Sequence, residues 1–212
     1  MERRKIFLLS PASCAGKRAA LLLSQHADFA VAKKVRAEPG APLGEVFSFL
    51  SGLYFRGKLA YATAFQNPPA RVGGIHIITP TDGLRAPAAL ARLDDLERFA
   101  AVPIDADEPR YRIPLDHDAH ALSKAVGEKC DVVLLGSIAT GKYVDILLPI
   151  FGARLCFPRE FLGHGDMARG GMLLKRAASG KEFNYLPVSD PSRLATRAKK
   201  ARVNDARLEA EP

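Results

Sequence analysis

Residues 161–176, Phe-Leu-Gly-His-Gly-Asp-Met-Ala-Arg-Gly-Gly-Met-Leu-Leu-Lys-Arg, hold the densest set of groups able to do chemistry. His164, Asp166 and Arg169 lie within six positions, between Gly163 and Gly165 on one side and Gly170-Gly171 on the other. A carboxylate in a flexible loop beside a cation suits stabilisation of a developing positive charge, or activation of a water. Two glycines in the first turns of a helix cost about 1 to 2 kcal/mol against alanine. Close approach of a ligand, or tight packing against another element, must offset that. Asp166 also has a plainer reading, as the N-cap of the helix.

Three further sets sit at the ends of apolar runs. Ser10-Pro-Ala-Ser-Cys-Ala-Gly-Lys17 is a small polar turn at the carboxyl end of a strand, where open α/β sheets place ligands. Its Ser13 and Cys14 suit binding, and its Lys17 suits an amine nucleophile or a phosphate contact. Thr81 and Asp82 follow the second run, either as site residues or as a turn shaped by Pro80 and Asp82-Gly83. Tyr54, Arg56 and Lys58 alternate aromatic and basic side chains beside Gly52 and Gly57, a pattern suited to stacking and phosphate contact or to a solvated helix face.

Gly136–Lys142 satisfies the phosphate-loop pattern G-x-x-x-x-G-K. The next residue is Tyr143, where a Ser or Thr would hold magnesium. A tyrosine ring does not fit a hydroxymethyl site beside a metal, and Asp131 precedes its strand instead of ending it. Nucleotide hydrolysis is therefore the weaker reading. The loop and helix start still suit a phosphate of another ligand, including the DNA backbone. His117, Asp118 and His120 have no evident metal-ligand partners. Cys14, Cys130 and Cys156 are scattered, with no C-x-x-C pair. No metal centre, disulfide framework or cofactor is expected, and the cysteine usage points to the cytoplasm.

Strands and helices must position these groups. Lys5–Ser10, Ile75–Thr79, Val132–Leu135, Ala153–Phe157 and Phe183–Val188 read as strands. Helices are expected over Gly16–Glu38, in two pieces between Leu43 and Phe65 meeting near Ser51-Gly52, and over Pro87–Ala101. Val102–Pro114 reads as irregular. Further helices run from Asp116 to about Lys129, after Gly141, and from Asp166 to near Gly180. The alternation predicts an α/β domain over 1–188, with a central mostly parallel or mixed sheet flanked by helices. A basic tail, helical or disordered, is expected over 189–212. The chain of 212 residues carries a net charge of +8, which favours a polyanionic partner, nucleic acid first. No apolar run approaches the roughly 20 residues of a membrane span.

In order, "LLSPASCAGK" (8–17), "FLSGLYFRGKLAYA" (49–62), "HIITPTDGLRAP" (76–87), "VVLLGSIATGKY" (132–143) and "DMARGGMLLK" (166–175) resemble the YaaA-like peroxide-stress family and its Ser-Cys-x-x-Lys relatives. The opening turn also resembles the lysine-bearing domain of archaeosine synthases, which modify a deazapurine in transfer RNA. The resemblance implies a DNA- or nucleobase-binding α/β fold in which the segment ending at Tyr143 walls the ligand site.

Combined, these features lead to the expectation of an enzyme acting on a base in double-stranded DNA, a glycosylase that excises a modified, flipped base in repair or anti-phage defence. Asp166, with Asp82 second, would stabilise the sugar cation. Lys17, Lys142 and Arg169 would hold phosphates, and Tyr54 or Tyr143 would stack on the base. Ser13, Cys14, Arg56, Lys58, Thr81, His164 and Gly170 complete the expected binding surface. A non-enzymatic DNA-binding stress protein is the alternative, followed by the nucleotide hydrolase.

Overall fold

The run Ile6-Phe7-Leu8-Leu9 has no polar face, and it becomes the middle of the sheet. In the computed structural model, which describes residues 3–189, Arg4–Leu9 forms β1 and these four side chains are fully buried. Such a run suits a parallel strand covered on both sides. The chain continues through α1 (Lys17–Leu23), α2 (Ala30–Arg36), β2 (Ala41–Pro42), α3 (Leu43–Ser51) and α4 (Leu53–Phe65). Next come β3 (Ile75–Ile78), β4 (Leu84–Arg85), β5 (Leu90–Ala91), α5 (Leu93–Ala100) and α6 (Pro109–Val126). The last elements are β6 (Cys130–Leu135), α7 (Gly141–Phe151), β7 (Leu155–Pro158), α8 (Asp166–Ser179) and β8 (Tyr185–Pro187).

The sheet order is β4-β3-β1-β6-β7-β8. The four inner strands are parallel, and β4 and β8 close the edges antiparallel. β2 and β5 pair separately. Strand alternation divides the core. Phe7, Leu9, Val133 and Leu135 pack with α1 to α5 and α8, whereas Ile6, Leu8, Val132 and Leu134 pack with α6 and α7. This is the mixed, largely parallel α/β sheet expected from the sequence. Of the expected tail, 190–212 lies outside the described residues.

α4 and α8 pack at backbone distance. A methyl group on Gly170 would lie 3.0 Å from the Tyr54 Cα, and one on Gly57 would lie 2.7 Å from the Gly170 carbonyl oxygen. Gly171 has nothing within 4 Å of that position. Opposite results are expected in thermal melts. Gly170→Ala should destabilise by about 1 to 3 kcal/mol through overpacking, and Gly171→Ala should stabilise by roughly 0.5 to 1 kcal/mol through helix propensity.

Three helix boundaries differ from the sequence reading. The helix expected over Gly16–Glu38 breaks at Ser24, because Phe29 stacks on Phe49 at 4.8 Å and Arg36 donates to the carbonyls of Leu22, Ser24 and Ala27. The first part of Pro87–Ala101 is consumed by backbone bonds from Leu43 and Gly44 to the carbonyls of Ala89 and Pro87. α6 begins well before Asp116, because Glu108 caps the Arg110 N–H at 3.0 Å and Pro109 occupies the first turn.

Candidate functional site

From β1 the chain turns to one face of the sheet, and from β6 to the other. The loops that follow these paired strand ends therefore part, and a crevice opens at this switch point. It holds a cavity of about 560 Å³. Ser10 to Ala15 line it from the turn after β1. Ser137, Lys142 and Tyr143 line it from the β6–α7 side, Tyr54 from α4, and Asp166 from the start of α8. Tyr54 belongs to the core on one face of the sheet and Tyr143 to the core on the other. Two phenols thus converge over the strand ends.

Beneath them lies Lys58. Its Nζ donates to the Ser10 carbonyl at 2.5 Å and to the Ser10 Oγ at 2.9 Å, and sits 4.6 Å from the Tyr54 ring centre. Burial pushes its ammonium down to about 7, against a partial counter-effect from the Asp166 carboxylate. The tight α4–α8 contact explains how a lysine comes to be enclosed. The expected phosphate contact is corrected: a side chain 1% exposed does not reach a DNA backbone.

Burial raises both phenols, Tyr54 to about 12 and Tyr143 further, so each keeps its proton at neutral pH. The nearby Ser10 side chain offsets part of that rise at Tyr143. The Tyr54 hydroxyl is buried and has no partner in hydrogen-bonding geometry among the described residues, although Arg169 lies close enough to favour its phenolate. An unsatisfied buried hydroxyl costs about 1 to 3 kcal/mol, which a ligand acceptor in the cavity would relieve.

Asp166 does not cap α8. The N-cap is Gly165, and no side chain fills that role. The Asp166 carboxylate is 71% exposed and 3.8 Å from Arg169. It stands in the first turn of α8, beside the positive end of the helix. Arg169 donates to the Phe161 carbonyl at 3.1 and 3.3 Å and lies over the Phe161 ring, so it braces the loop before α8 instead of reaching outward for phosphate.

Of the residues expected from sequence, Ser13, Cys14, Tyr54, Lys142, Tyr143 and Asp166 meet around the cavity. Cys14 is buried and its thiol is pushed up to about 12, so it serves as wall and not as thiolate. Lys17, Arg56 and His164 are exposed outside the lining. Gly170 is committed to the contact with α4. Asp82 lines a separate recess, held by Arg98 at 3.1 Å and by the Thr81 hydroxyl at 2.8 Å, so this pair builds a turn away from the cavity. Ser10 is the group that the candidate residues omitted. Its signal was a hydroxyl at the end of a fully apolar strand.

The phosphate-loop pattern also takes a defined shape. Gly141 and Lys142 open α7, the Asp145 carboxylate packs against Gly141, and Tyr143 is buried. A carboxylate packed on the helix start opposes a nucleotide phosphate at the backbone amides there, while the Lys142 side chain still lines the cavity. Among the described residues, no helix is long and apolar enough to cross a membrane.

Fold and crevice together define an open α/β protein with a cavity at its topological switch point. No protein-family model, curated protein or solved structure matches the chain.

Proposed function

We propose that this protein is an enzyme that acts on a nucleobase in DNA, a glycosylase releasing a modified base. The observation that carries the reading is the orphaned Tyr54 hydroxyl in a tyrosine-walled cavity with an uncapped carboxylate, Asp166, in its wall. The volume suits an extruded base and its sugar. The base stacks against Tyr54 or Tyr143, and Lys142 takes a flanking phosphate. The bond from C1′ to the base nitrogen breaks with its electron pair leaving on the base. Asp166 stabilises the sugar cation, water adds to C1′, and the proton that water loses ends on the released base. The substrate is double-stranded DNA, and the free cysteines Cys14, Cys130 and Cys156 support a cytoplasmic setting. A foreign modified base met in repair or phage defence fits a small stand-alone enzyme.

The test is incubation with DNA carrying modified or ordinary bases, followed by alkali. Strand breaks confined to modified sites support the reading. DNA affinity without breaks would instead favour a non-enzymatic binder. ATP should not be hydrolysed, and Lys142→Ala should change nothing in an ATPase assay. Steady hydrolysis abolished by that change would restore the nucleotide-hydrolase reading.

Tyr54→Phe removes the unpaired hydroxyl and keeps the ring. The melting temperature is expected to hold or rise slightly, while affinity for the flipped base falls about 5- to 30-fold. A clear loss of stability in calorimetry would mean that the hydroxyl has a structural partner.

A further inference from the structure

Resting on the reading that the cavity holds a flipped base, we propose that this base carries a short hydrocarbon side group, which packs against the segment joining α5 to α6. Phe99, near the end of α5, is buried in the core on one face of the sheet, with its ring 6.3 Å from that of Phe47 and edge to face with it. Val102 is buried in the core on the other face, and Ile104 packs against that second core. The chain therefore passes from one core to the other. On the way Phe99, Ala100, Val102, Pro103 and Ile104 all line the cavity. None of these side chains can donate or accept a hydrogen bond. Ile104 is only half-buried, so it has apolar surface left to give to a ligand.

Other elements bring the polar groups: the Tyr54 hydroxyl from α4, the Asp166 carboxylate from α8, and Ser137 and Lys142 from the β6–α7 side. These serve the hydrogen-bonding edge of the base, its sugar and its phosphate. A polar substituent laid on the α5–α6 segment finds no side-chain partner there and loses its water. A hydrocarbon substituent gains from the same burial. The cavity of about 560 Å³ lies within the roughly 300 to 1,000 Å³ of pockets that enclose drug-sized ligands. It has room for a base, its sugar and a side group of a few carbons. The substrate class is therefore an alkyl-substituted base, in preference to one with a hydroxyl-bearing or amino substituent.

Duplexes carrying cytosine with a methyl, ethyl, propyl or 2-hydroxyethyl group at C5 provide the test. Propyl and hydroxyethyl match in length and differ only in the last group. With the enzyme below saturation, base release by the wild type should rise by up to roughly fourfold for each added methylene. Propyl should exceed hydroxyethyl by about tenfold. Ile104→Asn should erase most of that last ratio. The ratio is internal to each protein, so a smaller folded fraction in the variant does not change it, and if the variant does not fold the wild-type series alone decides. A flat series would mean that the segment only covers the ring, and would overturn the inference. So would a rate with hydroxyethyl equal to or above that with propyl, or a ratio unchanged by Ile104→Asn. Release of every base at similar rates would leave the glycosylase reading standing. Release from no duplex would remove that reading. Calorimetric titration with the free 5-substituted deoxycytidines then decides the inference: the same order of affinities sustains it for a non-enzymatic binder, and a flat order or no binding overturns it.

Discussion

Asp166→Asn should cut base release by about 10²- to 10³-fold or more and move the melting temperature by only about 1 to 4 °C. The two effects separate because Asp166 stands in the first turn of α8 while the cap position belongs to Gly165. Its carboxylate is largely exposed and makes only a long contact with Arg169. The stability at stake is the attraction between a first-turn anion and the helix dipole, about 0.3 to 1 kcal/mol. Asparagine keeps the shape but not the charge. A sugar cation developing in the cavity loses its counter-charge, and among the described residues no other carboxylate lines the cavity. Binding to DNA should tighten slightly, because one negative charge near the phosphates is gone. A single-turnover assay paired with a thermal melt reads both quantities. Near-normal release with an intact fold would remove Asp166 from the chemistry.

Lys58→Met should make the protein more stable. Burying an ammonium is costly, and an apolar side chain of similar length avoids that cost. The expected gain is roughly 1 to 4 kcal/mol, reduced by the loss of two bonds to Ser10. The sign with pH follows from the depressed value. Folded Lys58 loses its proton near 7, whereas the unfolded lysine does so at the ordinary 10.5. Between these limits the unfolded state binds more protons, so wild-type stability rises with pH. The advantage of the variant should therefore be largest below pH 7 and shrink on the way to pH 10. Chemical denaturation of both proteins across that range measures it. A variant less stable than the wild type at pH 6 would show that the ammonium contributes more through its bonds than burial costs.

Much of the fold was legible because the inner strands are apolar on both faces. Ile6 to Leu9 and Val132 to Leu135 have no other stable place than the middle of a parallel sheet, and the small polar turns after them had to meet at its carboxyl edge. Ser13, Cys14, Lys142 and Tyr143 were visible on that ground, and Asp166 through its Gly-rich segment with His164 and Arg169. Lys58 and Asp82 were misjudged for one shared reason, that each has a decisive partner distant in sequence. Nothing near Lys58 foretold that Gly170 would bring α8 against α4 and enclose it, and nothing near Asp82 foretold Arg98. The early start of α6 depended on a local signal, Glu108-Pro109, which the nearby Pro114 obscured.

The measurement that bears most directly on the central claim is mass spectrometry of free base released under single-turnover conditions from duplex DNA carrying a modified base. The wild type should release the base and leave a matching number of abasic sites, whereas Asp166→Asn, with its melting curve intact, should release almost none. Tight DNA binding by the wild type with no free base from any substrate tested, or equal release by the two proteins, would contradict it.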